Sequence, residues 1–200
     1  MIYYVCKYAP IELFKAFGQE CAVLEEMPEN FDKSDKIAHA NLCGFGKSVI
    51  QAVLEGKVEE LILVNCCDSM RRVFDIVKST GKCSFLYMLD LPHEDNECEN
   101  EKFAEALIKL REAYEKYSGI PFNRELFIRS FAQPEEEKKP YIGLLGVHVS
   151  SILEHTIREN MNMDVENMTC SAGRKLVILP EHIENMDEKT MFLAYAESIL

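Results

Sequence analysis

Two adjacent cysteines, Cys66 and Cys67, follow a short apolar run at residues 61–64. The run is too short for a helix and indicates a strand that is buried on both faces, as in a parallel sheet. A helical pattern begins directly after it, and Asp68 or Ser69 is suited to cap the predicted helix. A thiol at this position gains from the helix dipole and from free backbone N–H groups, which stabilise the metal-binding thiolate. The segment therefore predicts a ligand site where a strand ends and a helix begins.

A third cysteine, Cys43, lies in the segment NLCGFGKS at residues 41–48, which leads into another predicted helix. The segment has only a superficial likeness to a phosphate-binding loop, because a single residue separates Gly44 from Gly46. The glycines would instead let the backbone approach a bulky group next to Cys43. The simpler alternative is an ordinary helix N-terminus with a buried cysteine.

Cys43 and Cys67 are far apart in the sequence, but both are predicted at the N-termini of neighbouring helices. Such helices begin at the same edge of a parallel sheet, so the two thiols are expected to meet there. Adjacent residues point in different directions, so we expect only one of Cys66 and Cys67 to face the crevice. Soft thiolates from separate loops suit an iron–sulfur cluster or zinc, although two cysteines complete neither site. Neither cysteine belongs to a Cys-x-x-Cys pair, which argues against a zinc ribbon or a thioredoxin motif.

The chain has 8 cysteines, and those not yet described differ in their surroundings. Cys6, Cys21 and Cys83 occupy apolar, strand-like runs and are expected to be small core residues. Cys98 lies in an acidic segment and is expected to be exposed. Cys170 lies at a predicted turn and stays a candidate for chemistry. In a reducing compartment none of these thiols is expected to form a disulfide.

Length and composition set further limits on the function. The chain has 200 residues, of which 48% are hydrophobic, and a net charge of -12. This length suffices for one full domain or one and a half. The acidic balance argues against nucleic acid and anionic membrane surfaces as main partners. No apolar run approaches the ~20 residues of a membrane span, and no signal-peptide pattern is visible, so the expected location is the cytoplasm.

The apolar patterns alternate between strands and helices along the chain. This alternation predicts an α/β fold, with a Rossmann-like parallel sheet that carries helices on both faces and a second, incomplete α/β unit after it. The expected domains are residues 1–135 and 140–200, joined by the charged, proline-flanked linker 133–140. Strands are predicted at 2–5, 21–24, 61–64, 83–89, 141–147, 163–166 and 175–179. The segment 41–48 leads into a predicted helix that continues to residue 53 or 54. The other helices are predicted between residues 10 and 18, from 68 to 81, from about 100 to 117, within 121–133, from 150 to 159 and from 186 to 200.

Four segments together resemble the cluster-bearing subunits of the 2-hydroxyacyl-CoA dehydratases, a family that includes benzoyl-CoA reductase subunits and double-cubane cluster proteins. In chain order they are YAPIELFKAFG (8–18), HANLCGFGKS (39–48), NCCDSMRR (65–72) and YMLDLP (87–92). Two further segments, IGLLG (142–146) and TCSAGR (169–174), look like the opening of the family's second domain. The resemblance covers nearly the whole chain, and its proline–glutamate and cysteine–aspartate motifs are fairly specific in combination.

The resemblance implies two Rossmann-like domains with an iron–sulfur cluster, [4Fe-4S] or larger, in the cleft between them. The ligands from the first domain correspond to Cys43 and Cys67. The family's third ligand comes from much later in the second domain, and we expect this chain to end before it. Cys170 and Cys66 are the candidate substitutes. Without such a ligand the chain would lack an intact cluster and would not catalyse the reaction alone.

The resemblance also implies a radical dehydration. An ATP-dependent activator with its own iron–sulfur cluster would supply one electron, and a 2-hydroxyacyl-CoA would pass through a ketyl radical as it loses water. The expected partners are this activator, an acyl-CoA thioester, and either a second dehydratase subunit or a second copy of the chain. Three polar residues near the predicted crevice, His39, Glu12 and Ser48, are candidates for catalysis, with structural caps or surface positions as the alternative.

Three other functions stay open at the level of sequence. A double-cubane-type reductase of small molecules would contain more iron per chain. A truncated, cluster-free scaffold would bind a full-length partner and would keep that binding without Cys43 and Cys67. A zinc-binding module would be recognised by its metal content.

Overall fold

The computed structural model describes residues 1–25, 28–94, 96–131, 140–146, 149–161, 163–169 and 182–200. Its main sheet has parallel strands in the order β2-β1-β3-β4. These strands are β1 (Ile2–Tyr4), β2 (Cys21–Val23), β3 (Glu60–Val64) and β4 (Phe85–Leu89). The predicted α/β class and parallel sheet are therefore confirmed.

Strand β3 lies inside this sheet and is buried on both faces. Its residues Leu61, Ile62, Leu63 and Val64 are fully buried. Ile62 and Val64 contribute to the core on one face, whereas Leu61 and Leu63 contribute to the core on the other. The continuous apolar run thus follows from the helices on both sides, since each face of the strand needs apolar side chains.

Helices cover both faces of the sheet. One face carries α1 (Ile11–Lys15), and the opposite face carries α2 (Gly44–Leu54) and α3 (Asp68–Thr80). The helices α4 (Glu97–Ser118) and α5 (Arg124–Arg129) join α1 on its side. None of the helices in the described ranges combines the length and the apolar character that a membrane crossing requires.

Local signals in the sequence set the helix ends. Gly81 and Gly119 end α3 and α4 with φ angles of 62° and 68°, in the left-handed region that glycine adopts without strain. Helix α4 begins at residue 97 rather than at the predicted residue 100. The reason is that Asn96 caps it, with the Asn96 side chain accepting a hydrogen bond from the Glu99 backbone N–H at 3.0 Å.

A small strand–helix–strand unit follows the main sheet. It consists of β5 (Tyr141–Leu144), α6 (Ser151–Asn160) and β6 (Asp164–Asn167), and its two strands pair in parallel. The strand predicted at 175–179 and most of the predicted linker lie outside the described residues. The division into domains 1–135 and 140–200 stays a prediction.

The last helix, α7 (Glu188–Ile199), packs against α4 and shares the core of the main sheet. Its residue Tyr195 donates a hydrogen bond from its hydroxyl to Glu12 Oε2 on α1, at 2.7 Å. Both side chains are 0% exposed. A buried carboxyl group needs such a donor, so this hydrogen bond ties the end of the chain to its beginning.

We expect the Tyr195→Phe substitution to lower the free energy of unfolding by about 1–3 kcal/mol, because it removes a donor from a buried carboxyl group and keeps the ring. Urea unfolding followed by circular dichroism measures this loss. Tyr141→Phe is the matched control, since Tyr141 is 39% exposed, and it should change stability by less than about 0.5 kcal/mol. Equal losses in the two variants would show that the buried hydrogen bond contributes nothing specific.

Candidate functional site

The candidate site lies at the carboxyl edge of the sheet, where the strand order reverses. The chain runs outward from β1 to β2 on one side and from β3 to β4 on the other. Open α/β sheets bind ligands outside the carboxyl ends of their strands at such a point. The turns after β1 and β3 start close to each other here, because Tyr4, the last residue of β1, pairs with Ile62, two residues before the end of β3. These turns carry Cys6, Cys66 and Cys67.

Cys67 is the N-cap residue of α3. The cap predicted at Asp68 or Ser69 is therefore wrong, and Asp68 lies in the first turn of the helix. Burial of the sulfur raises the pKa of the Cys67 thiol, while the backbone N–H groups of Met70 and Ser69 act in the opposite direction. The pKa of Cys67 is raised on balance, which favours the protonated thiol. A metal that binds Cys67 would therefore displace this proton.

Cys43 has the same position on the neighbouring helix. It is the N-cap of α2, and its Sγ accepts a hydrogen bond from the Gly46 backbone N–H at 3.4 Å. Cys43 and Cys67 are both exposed at their helix ends. Helices α2 and α3 pack against each other, so the predicted placement at neighbouring helix N-termini is what the structure shows.

Gly46 sets how closely these two helices approach. A Cβ atom at Gly46 would lie 3.1 Å from Val73 Cγ2 on α3, 3.3 Å from Leu42 Cγ and 3.5 Å from Cys43 Sγ. A Cβ atom at Gly44 would meet nothing within 4 Å. Gly46 therefore allows α3 to lie next to the residue that hydrogen-bonds Cys43, whereas the approach of the two glycines to a bulky group beside Cys43 stays a prediction.

Cys66 lies between two other thiols. Hydrogen bonding with Cys6, and after it the burial of the sulfur, raise the pKa of the Cys66 thiol, although the residue as a whole is exposed. Cys66 lies in a bend and both Cys66 and Cys67 are exposed, so the expectation that only one of them faces the crevice stays a prediction. Cys6 itself is 1% exposed and was expected only in the core. The sequence pattern missed its closeness to the site, because that closeness depends on which strand lies beside β3.

A side-chain amide holds the turn after β3 in place. Asn65 Nδ2 donates to Asp90 Oδ1 at 2.6 Å, and Asn65 Oδ1 accepts from the Leu91 backbone N–H at 2.8 Å. The turn that carries Cys66 and Cys67 is therefore fixed to the turn after β4. This arrangement gives a physical role to the YMLDLP segment, which contains both partners of Asn65.

Two clefts flank the start of α3. The larger, of about 480 Å³, lies between His39 and Asn41 on one side and Asp68, Arg72 and Asp75 on the other. The second, of about 390 Å³, extends towards the turns after β3 and β4. Both clefts are lined by Asp68, which follows Cys67 in the first turn of α3, whereas Cys67 is not among the residues that line either cleft.

The other catalytic candidates occupy different positions. His39 lines the larger cleft, and its Nδ1 accepts a hydrogen bond from the Asn41 backbone N–H at 3.1 Å. Glu12 lies in the core and accepts the hydrogen bond from Tyr195. Ser48 is 3% exposed and donates to the Gly44 carbonyl at 3.0 Å. Only His39 is therefore brought to a cleft at this edge, and a catalytic role for any of the three stays a prediction.

The remaining cysteines lie away from the two helix ends or outside the described residues. Burial raises the pKa of Cys21 to about 12 and that of Cys83 to about 11. Cys98 is exposed in the first turn of α4. Cys170 lies outside the described residues, but the Met168 carbonyl accepts a hydrogen bond from Lys7 Nζ at 3.4 Å. The end of β6 therefore approaches the turn after β1.

The side chains at the candidate site provide only part of the ligands that an iron–sulfur cluster or a zinc ion needs. Two exposed thiols at adjacent helix N-termini are suitable ligands for iron or zinc. Across the described ranges, however, no three His, Cys, Asp or Glu side chains are grouped so that they could hold one metal ion. A complete site would need ligands beyond Cys43 and Cys67.

Comparison with models of known protein families gives a match over most of the chain. The model of the family described as 2-hydroxyglutaryl-CoA dehydratase, D-component, matches residues 6–146. This range contains Cys43, Cys66 and Cys67 and ends just after β5, whereas Cys170 lies beyond it. No curated protein matches the sequence significantly.

We expect Gly46→Ala to lower the free energy of unfolding by about 1–3 kcal/mol, because the added methyl group overpacks the contact between α2 and α3. Gly44→Ala is the matched control on the same helix. It adds its methyl group to open space and should leave stability unchanged or raise it by up to about 1 kcal/mol. Thermal and urea unfolding measure both changes, and a Gly46→Ala protein as stable as the control would contradict the close approach.

Proposed function

We propose a function that starts from family membership: this chain belongs to the 2-hydroxyglutaryl-CoA dehydratase D-component family. It is thus a dehydratase-type component. In our proposal it holds an iron–sulfur cluster, [4Fe-4S] or larger, and takes part in the elimination of water from a 2-hydroxyacyl-CoA. The observation that carries the proposal is the pair of exposed thiols, Cys43 and Cys67, at the N-termini of two helices in contact.

The helix ends support the binding of two thiolates. Each N-terminus presents free backbone N–H groups and the positive end of a helix dipole, and both favour a negative sulfur. Cys43 already accepts the Gly46 N–H, and the Met70 and Ser69 N–H groups favour the Cys67 thiolate. A cluster bound here would therefore find part of its hydrogen-bonding shell in place.

A further ligand has to come from elsewhere. Cys170 is our first candidate, and it is supported by the hydrogen bond that brings the end of β6 to Lys7, beside the candidate site. Cys66 is the alternative, since it lies directly beside Cys67. A ligand from a second subunit, or from a second copy of the chain, would also complete the set.

When bound, such a cluster would supply a single low-potential electron, which an ATP-dependent activator protein would deliver. The chain's own residues would bind and orient the thioester. His39, Asn41 and Arg72 offer hydrogen-bond donors in the larger cleft, next to the helix end with Cys67. The proposed location of these partners and of the chain is the cytoplasm.

The test is anaerobic reconstitution with iron and sulfide, followed by measurement of iron and sulfide per chain and of the visible absorption. We expect the natural sequence to bind both elements and to turn brown. Cys43→Ala and Cys67→Ala should each weaken retention of the cluster at least about tenfold, since even the loss of a group behind a ligand costs 10–100-fold. Cys83→Ala and Cys98→Ala are the matched controls and should retain it.

The same measurement separates the alternatives. A natural sequence that binds neither iron nor sulfide would contradict the proposal and favour the cluster-free scaffold. Iron at about twice the content of one [4Fe-4S] cluster per chain would favour the double-cubane type of reductase. Zinc bound to Cys43 and Cys67 after purification would favour the zinc-binding module.

A further inference from the structure

Strand β4 forms one edge of the main sheet, and no strand of the described ranges pairs with its outer side. In open sheets with the common order 2-1-3-4-5, a fifth strand covers this edge. Here the chain continues from β4 into α4 and α5, and the next strand, β5, pairs with β6 in a separate sheet. The outer side of β4 is therefore available to a strand from elsewhere.

The hydrogen bonds of β4 show which of its backbone groups point outward. The Phe85 N–H donates to a carbonyl just before β3 at 3.3 Å, and the Leu89 carbonyl accepts from the Asn65 N–H at 3.0 Å. Phe85 and Leu89 thus bond to β3, and successive residues of a strand bond to opposite sides. The N–H and C=O groups of Leu86 and Met88 therefore point away from β3, towards the open side.

The two edges of the sheet differ in how they are protected against pairing. Edge strands are commonly protected by charged side chains, proline, a bulge or a very short length. The other edge strand, β2, has only 3 residues, and Glu20 and Glu25 lie near its ends. Strand β4 has 5 residues, FLYML, with no charge or proline among them and a continuous register with β3. It therefore lacks the usual protection and is suited to pair with another strand.

The strand is complementary to itself when a second copy runs antiparallel to it. A two-fold axis beside Tyr87 pairs Leu86 of each copy with Met88 of the other. These are the two residues whose backbone groups point outward, so in this register they exchange hydrogen bonds across the edge. The same three residues are half-buried in the single chain, and pairing would cover them further.

Charges at the ends of β4 fit the same register. The exposed Lys82 precedes β4, whereas the exposed Asp90 and Glu94 follow it. In an antiparallel pair centred on Tyr87, Lys82 lies diagonally opposite both carboxylates of the second copy. Glu59 is at the same end as Lys82, but it precedes β3 and is one strand further from the second copy. A parallel pairing would instead bring like charges together.

We propose that the outer edge of β4 is a docking surface for a second copy of this chain, which joins the two main sheets into one through antiparallel β4 strands. The inference goes beyond the proposed function, because none of its residues is a candidate ligand. The carboxyl ends of the two β4 strands point in opposite directions, so the two candidate sites lie at opposite edges of the joined sheet. A copy bound in this way brings no thiol to the other site.

The test measures the mass of the full chain by sedimentation and the exchange of its backbone N–H groups by NMR. Both are followed over a range of protein concentrations with the thiols kept reduced. We expect a dimer to form as the concentration rises. The N–H groups of Leu86 and Met88 should become protected with it, because they then donate to the second copy. The N–H group of Phe85 already bonds to the β3 side and should be protected at every concentration.

Charge reversal tests the register. Lys82→Glu and Glu94→Lys should each weaken the dimer about tenfold, because each replaces attraction by repulsion at two symmetric places. The double substitution should restore a large part of the affinity. Lys36→Glu is the matched control: this exposed lysine lies in a short 3-10 helix that contacts α2, and its reversal should leave the dimer unchanged.

Three results would overturn the inference. The first is a chain that stays monomeric at every concentration, with fast exchange at Leu86 and Met88. The second is a dimer in which these two N–H groups stay unprotected, since its contact would lie elsewhere on the chain. The third is protection that appears only when a different protein is added. Iron binding is measured separately, so each of these results leaves the proposed function standing.

Discussion

The burial of strand β3 on both faces is the constraint on which the site depends. Residues 61–64 are fully buried, so the strand cannot slide or rotate without exposing apolar side chains on one face or the other. Its carboxyl end is therefore fixed, and the turn with Cys66 and Cys67 starts from a defined point. The Asn65 side chain then fixes this turn to the turn after β4 through Asp90 and Leu91. The position of the Cys67 thiol is thus a consequence of core packing.

The second cysteine owes its position to the contact between α2 and α3. Val73 on α3 packs where a side chain at Gly46 would be, and Gly46 in turn donates its N–H to Cys43. Gly46 therefore has two effects in the first turn of α2. Its lack of a side chain allows α3 to pack closely, and its backbone N–H donates a hydrogen bond to the Cys43 sulfur. These effects give a physical reason for glycine in a helix, where it costs about 1 kcal/mol relative to alanine.

Much of the fold could be predicted because its signals are local. The apolar run of β3 and the glycine that ends α3 each depend on a few neighbouring residues. The same holds for the positions of Cys43 and Cys67 at helix N-termini, although Cys67 was not predicted as the cap, because thiols are not among the preferred cap residues. The approach of Cys6 to Cys66 depends on strand order, and the Tyr195–Glu12 hydrogen bond joins the two ends of the chain. Such contacts leave no local pattern in the sequence.

The net charge of the chain does not by itself describe the electrostatic surroundings of the thiols at the candidate site. The net charge of -12 disfavours thiolates and other additional negative charges on the chain. It would also lower the reduction potential of a bound cluster, because the reduced cluster is more negative than the oxidised one. Near the thiols, however, cationic side chains and helix N-termini lie beside carboxylates, because Asp68, Asp75 and Asp90 line the clefts at the same edge. The two helix N-termini act there, and Arg71, Arg72 and Lys7 lie around the same edge. The distant carboxylates are screened by salt over about 10 Å, whereas these contacts are not. Nearby groups of both signs therefore act on the thiols at this edge more strongly than the overall charge of the chain does.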